Sequence, residues 1–398
     1  MPDRREQGMI RYLTDGEKAE SRDLWEEAFP EDSRSFDDYY FGEKLGDNRI
    51  LVLEEEHAAG SGEDGNGKPG SSRIVSMIHL NPYVVQAAGL RWQVDYLVGV
   101  ATRKDRRHRG YMRRLLLRMM EDMRVEGMPF CFLMPADEAI YRPFGFTYIF
   151  RQPVVGLRNG GKLREQEILA PGSKDGGQWT PDGMARWMNQ WLESRYEVFA
   201  VRDGAYVRRL LLELASEDGS FRLLYDRDGG NAGEVRSVRN CGSAGKVQSV
   251  RDVPGTVVGM VSEWGLEKRE QRLLYCEDSY VEEKAPARPA IMARIISPGE
   301  FVKAIRLEET CDREQVTIRL RLTDPLIAAN DGWWLWHLGR ENSWMERWDR
   351  AGEEPELFLT IEELTCWLFG YDVPEAVKAA GLDGVVRTLR GVFLDEVV

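Results

Sequence analysis

No run of consecutive apolar residues comes near the roughly 18–20 that a spanning helix needs, and Met1-Pro2-Asp3-Arg4-Arg5-Glu6 lacks the apolar core of a signal peptide. A cytoplasmic protein with no membrane partner is expected. Cysteine is scarce: Cys131, Cys241, Cys276, Cys311 and Cys366 are odd in number and form no CxxC pair, so neither a disulfide framework nor a zinc site is expected. The 4 histidines are equally scattered, and no metal is expected. Positive charge is short as well. The 54 Lys and Arg stand against 67 Asp and Glu, and the net −13 repels a phosphate backbone, which excludes nucleic acid as the default partner and favours a small cation. Neither GxxxxGK[ST] nor GxGxxG occurs, so a P-loop and a dinucleotide fingerprint are both absent.

What is present is a globular chain of 398 residues, 42% apolar, long enough for two or three cores at about 150 residues each. Thr14-Asp15-Gly16-Glu17 has capping-box spacing ahead of Leu24, Trp25 and Ala28, predicting a first helix that Pro30 ends. Arg49 to Glu54, Arg73 to Leu80 and Trp92 to Ala101 read as strands, with the polar tract His57 to Ser72 as a hairpin loop. Met112, Leu115, Leu116, Met119, Met120 and Met123 recur at helical spacing and predict a helix over 109–125, followed by a buried strand at Phe130 to Met134.

Further on, Met184 to Trp191 and Tyr206 to Leu214 read as helices, and strands are expected near Phe221 and over Val257 to Val261. A second polar tract, Asp226 to Ser249, reads as another loop. The Pro/Ala/Arg stretch Lys284 to Pro289 marks a joint. Beyond it Val316, Ile318, Leu320 and Leu322 alternate with polar residues as in a half-buried strand, and Thr360-Ile361-Glu362-Glu363 is a second capping box. Pro374 and Gly381 bracket a last short helix. Three domains are expected: 1–150, 151–287 and 288–398.

Chemistry points to one stretch. Leu97 to Thr102 is an apolar strand, Arg103 to Arg109 a basic turn, and Gly110-Tyr111-Met112 opens the strongest helix. Seven lysines and arginines fall between Arg103 and Arg114 of an otherwise acidic chain. A helix N-terminus has unpaired N–H groups and the positive end of a dipole, so this turn suits one phosphate or pyrophosphate group. A solvated basic turn is the plain alternative.

Arg107-x-x-Gly110 at the mouth of a helix resembles the acyl-CoA pyrophosphate loop of the GCN5-related N-acetyltransferases (GNAT), whose third signature position is Met112 here. Two further elements, Val100 to Gly110 (V-A-T-x-x-x-R-R-x-R-G) and Tyr141-Arg142-Pro143-Phe144-Gly145-Phe146, are similar to those of the enhanced intracellular survival (Eis) family of that group. The resemblance implies an α/β (α+β) fold class: two tandem GNAT acetyltransferase folds, the second degenerate, then a sterol-carrier-protein-2-like domain. It implies acetyl-CoA as co-substrate and a ring-like homohexamer. The amides of Val100, Ala101 and Thr102 would meet the pantetheine arm. His108, Arg109, Gly110, Tyr111, Met112 and Arg113 would wrap the pyrophosphate, and Ala136 and Asp137 would supply further coenzyme contacts.

Tyr141 falls on the family's general acid and the carboxylate of Val398 on its general base. Physical chemistry asks for such groups. An alkylammonium of pKa near 10.4 must lose a proton before it can attack, and a departing thiolate is helped by a phenol within reach. A backbone N–H near Val100 is the expected donor to the developing oxyanion. A tyrosine among Ile140, Phe144 and Phe146 could instead be ordinary core. Trp187 and Trp191 are expected to pack, and Trp333, Trp334 and Trp336 to line a cavity or a domain contact. The expected acceptor is a small polycationic amine, aminoglycoside-like or a polyamine. The alternatives are a lysine or N-terminus of a protein, or a non-catalytic carrier of an apolar ligand.

Overall fold

The computed structural model describes residues 8–56, 72–158, 163–168, 179–226, 256–265, 268–349 and 352–396. The chain start, most of the two polar tracts and Val398 therefore lie outside the described residues. No helix among the described residues is long and apolar enough to cross a membrane.

The chain forms two compact units, one of residues 1–152, 189–202 and 287–398, the other of 153–188 and 203–286. The first begins with β1 (Met9–Tyr12), α1 (Arg22–Ala28), α2 (Arg34–Tyr39), β2 (Arg49–Glu56), β3 (Ser72–Ala87) and β4 (Leu90–Thr102). It continues with α3 (Tyr111–Val125), β5 (Phe130–Leu133) and α4 (Glu138–Tyr141). β1 to β5 lie in sequence order in a nine-stranded sheet, which continues through Val281–Ile295 to Thr147–Leu157. β3 and β4 join through Ala88 and Gly89, both at positive φ, as a two-residue hairpin turn requires. The predicted periodicity of α3 is its packing: Leu115, Leu116, Met119, Met120 and Met123 are all buried.

The boundary between the two units falls inside Lys284 to Pro289, where a joint is expected, but the chain crosses it as the strand Val281–Ile295 and not as a loop, the strand's far end pairing with β5 (Met292 with Leu133, Ile295 with Phe130). Residues 283–289 are exposed, which is why their composition reads as a linker. The first capping box fails: Glu17 accepts from the Thr14 amide and hydroxyl (2.8 and 2.7 Å), but a 3₁₀ turn intervenes and α1 starts only at Arg22. The second forms as expected, Thr360 and Glu363 capping the helix Ile361–Leu368.

The C-terminal part of this unit contains a four-stranded sheet in the order Ser343–Arg347, Gly332–Gly339, Gln315–Thr323, Leu357–Thr360. Ile318, Leu320, Leu322, Trp336 and Leu338 are buried with Leu364, Trp367 and Leu368 of the helix that follows, Trp336 meeting Trp367 edge-on at 5.9 Å. Its core is continuous with the first sheet, since Phe130 of β5 packs on Phe301 (6.1 Å) and Phe369 (5.1 Å).

The second unit has a four-stranded antiparallel sheet, in the order Glu270–Cys276, Val257–Trp264, Ser220–Asp226, Leu163–Glu167. Its helix Gly204–Ser216 buries Val207, Leu210, Leu211 and Leu214.

Candidate active site

The site is built where β4 bulges against β3 and parts from β5. Against β3 the register runs from Met77 opposite Ala101 to His79 opposite Val98, so β4 has one residue too many and bulges at Gly99 and Val100. Gly99 takes φ +58°, and a Cβ there would lie 2.5 Å from the Trp25 ring, so only glycine fits. On its other edge β4 shares one register pair with the parallel β5, Tyr96 with Phe132, and the strands then separate. Arg103 N–H bonds to Val75 O at 2.9 Å, and Ser76 Oγ donates to Ala101 O at 2.9 Å. By strand alternation, Val100 and Thr102 thus aim their amides into the gap, while Ala101 turns toward β3.

The basic turn sorts into structural and open cations. Arg103 is buried and ties the turn to α1, bonding Glu27 (2.7 Å), Asp23 (2.5 Å) and Ile74 O (2.8 Å). Arg106 pairs with Glu55 at 2.8 Å, and the Tyr111 hydroxyl also donates to Glu55. Burial works to raise the Glu55 carboxyl, but its bonds from Tyr111 and Arg106 hold it below the usual range. Lys104, Arg107, Arg109 and Arg113 are exposed; Arg109 lies against the Glu55 carboxylate and the Tyr111 hydroxyl, while the side chains of the other three form no ion pair among the described residues.

His108 (φ +64°) and Gly110 (φ +76°) bend the turn into α3. The helix ladder starts with Arg114 N–H to Gly110 O at 3.1 Å, and no side chain caps the end, leaving the amides of Tyr111, Met112 and Arg113 to an outside acceptor. Among the described residues nothing lies within 4 Å of where a Cβ on Gly110 would be.

Tyr141 ends α4, whose first turn Asp137 caps by accepting from Ala139 N–H at 2.9 Å. That contact commits the Asp137 side chain to the local fold, while Ala136 beside it is exposed. Tyr141 is 9% exposed, its hydroxyl has no bond from the described residues, and burial lifts it to about 12. The phenol is therefore protonated throughout the working range of an amine acetyl transfer. Arg113, in the first turn of α3, lies over the Phe144 ring at 6.0 Å, which joins the basic turn to the segment carrying Tyr141.

Sequence reasoning missed three contributors: Gly99, Glu55 and a buried polar chain behind the bulge. In that chain Asn48 Nδ2 donates to Tyr40 Oη (3.1 Å), and Tyr40 Oη lies 3.0 Å from His79 Nδ1. The ring, which burial lowers to about 3, is neutral, and its Nε2 is buried with no partner among the described residues. A lone histidine and an asparagine in a strand leave no spacing signal.

The C-terminal segment joins the same sheet. Val392–Phe393 pairs in parallel with Val198–Phe199, which pairs with Gln86 and Ala87 of β3. Phe393 stacks on Tyr196 at 4.6 Å, and Arg202 binds Asp395 (2.6 Å) and Glu396. Val201 N–H bonds to Val84 O at 2.8 Å, so Asp395 and Glu396 advance along β3 toward Asn81, opposite Tyr96.

Residues 9–149 match the model of the GNAT acetyltransferase domain, and residues 299–395 that of a sterol carrier protein domain. No curated protein sequence matches the chain. Among solved structures, a protein of Enterococcus faecalis V583 described as a probable N-acyltransferase is 15% identical, covering 98% of this chain and 99% of its own, with a TM-score of 0.68. A GCN5-related N-acetyltransferase from Kribbella flavida is 14% identical over 98% of this chain and 99% of its own, with a TM-score of 0.63. Eis1 from Mycobacterium abscessus is 12% identical over 96% and 93%, with a TM-score of 0.58. The chain is therefore built on a GNAT acetyltransferase domain, residues 9–149, followed at its C-terminal end by a sterol carrier protein domain, residues 299–395, and over nearly all of its length it shares the fold of Eis1 from Mycobacterium abscessus.

Proposed function

We propose that the protein transfers an acetyl group from acetyl-CoA to an amine of a small polycationic acceptor, aminoglycoside-like or a polyamine. The observation that carries this reading is the uncapped mouth of α3, with four exposed cations, beside the gap between β4 and β5 and within one aromatic contact of the Tyr141 segment. A pyrophosphate fits the first, an extended pantetheine arm the second. Acetyl-CoA supplies the activated acyl group as substrate.

His108, Arg109, Gly110, Tyr111, Met112 and Arg113 would hold the pyrophosphate, Val100 and Thr102 the arm, with Ala101, Ala136 and Asp137 at its margins. The Val100 amide, freed by the bulge, would donate to the thioester oxygen as charge develops on it. A carbon–nitrogen bond forms and the carbon–sulfur bond breaks. Tyr141 gives hydrogen-bond support and a proton to the departing sulfur, and the Val398 carboxylate takes the amine proton through water.

A cationic acceptor is supported by an open cleft of about 640 Å³ between α1 and α2, lined by Glu26, Asp32, Asp37 and Asp38 together with Arg22 and Arg34. Asp37 Oδ1 is buried there without a partner among the described residues, and burial, then Glu26, push its carboxyl upward. Trp25 connects this cleft to the bulge, donating from Nε1 to Asp32 at 2.9 Å while its ring packs on Gly99. An added ammonium would relieve the crowding of carboxylates.

We further propose that residues 151–287 are a degenerate acetyltransferase fold that binds no coenzyme, and that the protein works as a homohexamer. In support of the first, the mouth of the helix Gly204–Ser216 is closed by its own cap, Tyr206 N–H donating to Asp203 at 2.7 Å. The reading is tested by thiol release from acetyl-CoA against spermidine, kanamycin and a lysine-containing peptide, with light scattering for the assembly. Release that depends on a small polyamine supports it. Release with the peptide alone moves the acceptor to protein, and failure to bind acetyl-CoA leaves an apolar-ligand carrier.

A further inference from the structure

The signature around Tyr141 has a physical meaning that leads to the sterol carrier domain. Tyr141 to Phe146 closes as a Schellman motif: Gly145 N–H bonds to Arg142 O at 3.0 Å, and Phe146 N–H reaches Tyr141 O at 3.5 Å. Gly145 supplies the left-handed residue, φ +78°. The apolar contact that accompanies the motif is Phe146 against the Tyr141 ring, edge-on at 6.0 Å. The direction of the phenol is thus set by the backbone at Gly145.

Beneath that backbone lies Arg294, fully buried. A Cβ on Gly145 would lie 1.9 Å from Arg294 Nη1 and 3.0 Å from Ile361 Cγ2. Arg294 Nη2 binds both oxygens of Asp324, at 2.7 and 2.8 Å. Asp324 is itself fixed by the amides of Leu326 and Ile327, each at 3.1 Å, and by Asn330 Nδ2 at 3.0 Å. Nε and Nη1 of Arg294 have no partner among the described residues. An ion pair buried with two donors unmet is a poor stabiliser compared with apolar residues of the same volume. Its placement against Gly145 gives it a different use.

We infer that Arg294 is a positioning residue for Tyr141: clamped by Asp324 of the sterol carrier domain, it braces Gly145 and so aims the phenol. The inference rests on the role proposed above for Tyr141. It makes the sterol carrier domain part of the catalytic scaffold, through packing rather than through charge.

A mutant cycle tests it, with kcat followed by thiol release from acetyl-CoA and spermidine. Arg294→Met should lower kcat about tenfold with the KM for acetyl-CoA within about twofold, since a displacement of ~1 Å can cost up to 10²-fold. In a Tyr141→Phe background the same substitution should change kcat less than about twofold. Arg294→Lys, which keeps the ion pair, should recover part of the loss. Equal losses in both backgrounds would overturn the inference while leaving Tyr141 in place, whereas wild-type kcat in Tyr141→Phe alone would remove the role of Tyr141 itself. Asp324→Asn is the second variant should Arg294→Met not fold. A readout free of the acceptor is the ¹⁹F resonance of 3-fluorotyrosine placed at position 141: Arg294→Met should shift or split it, and an unchanged line would refute the brace.

Discussion

Replacing Gly99 by alanine perturbs the proposed oxyanion donor without touching the turn at α3. The residue holds φ +58°, and the new Cβ would meet Trp25 at 2.5 Å and His79 at 3.3 Å. Left-handed strain contributes roughly 1–2 kcal/mol and overpacking roughly 1–3 kcal/mol. Trp25 is buried and stacked on Tyr40 at 4.3 Å, so it has little room to yield. The melting temperature should fall by roughly 5–15 °C. The easiest relief is to flatten the bulge, which returns the Val100 amide to the ladder and removes a donor worth about 10²–10³ in kcat. Acetyl-CoA affinity, measured by calorimetry, should stay within about threefold, because the α3 mouth is unchanged. A protein with a lowered melting temperature and wild-type kcat would show that the bulge is structural only, and would refute the assignment of Val100.

Two further outcomes are expected. Glu55→Gln removes a carboxylate that Tyr111 and Arg106 hold below its usual range despite its burial. A depressed carboxylate adds stability above its unfolded pKa and loses it as pH falls through the folded value, so the melting temperatures of wild type and Glu55→Gln should differ near pH 7 and converge below about pH 4. A constant difference down to pH 3 would contradict this. Residues appended after Val398 should cut kcat by 10²-fold or more on the scale of general acid–base catalysis, with acetyl-CoA affinity unchanged; full turnover would remove that carboxylate as the base.

The parts legible in the sequence are those with local causes. The apolar stripe of α3 and the Thr360 capping box each follow from spacing within one element, and the Arg107-x-x-Gly110 turn from glycine at a helix mouth. What escaped depends on distant partners. Lys284 to Pro289 does hold the boundary between the two units, but Met292 to Ile295 pair with β5 and a single strand, not a loop, runs across it. Val198–Ala200, three residues inside the region expected to be a second domain, pairs with β3 and with Val392–Phe393. Arg103 looks like any other cation of the turn until Asp23 and Glu27 of α1 are seen to hold it. Gly99 is read as one apolar strand position, since a bulge is a mismatch between two strands and neither strand records it alone.

The central claim is that the mouth of α3 grips a pyrophosphate. Calorimetric titration with acetyl-CoA and with S-acetylpantetheine, which shares the thioester arm but lacks the pyrophosphate, tests this most directly. At low salt acetyl-CoA should bind at least ~100-fold more tightly, consistent with about 1.5–3 kcal/mol for each of two or more charge-assisted bonds, and most of that difference should be lost in Arg109→Ala/Arg113→Ala. Equal affinities for the two thioesters, or a difference untouched by the double substitution, would contradict it.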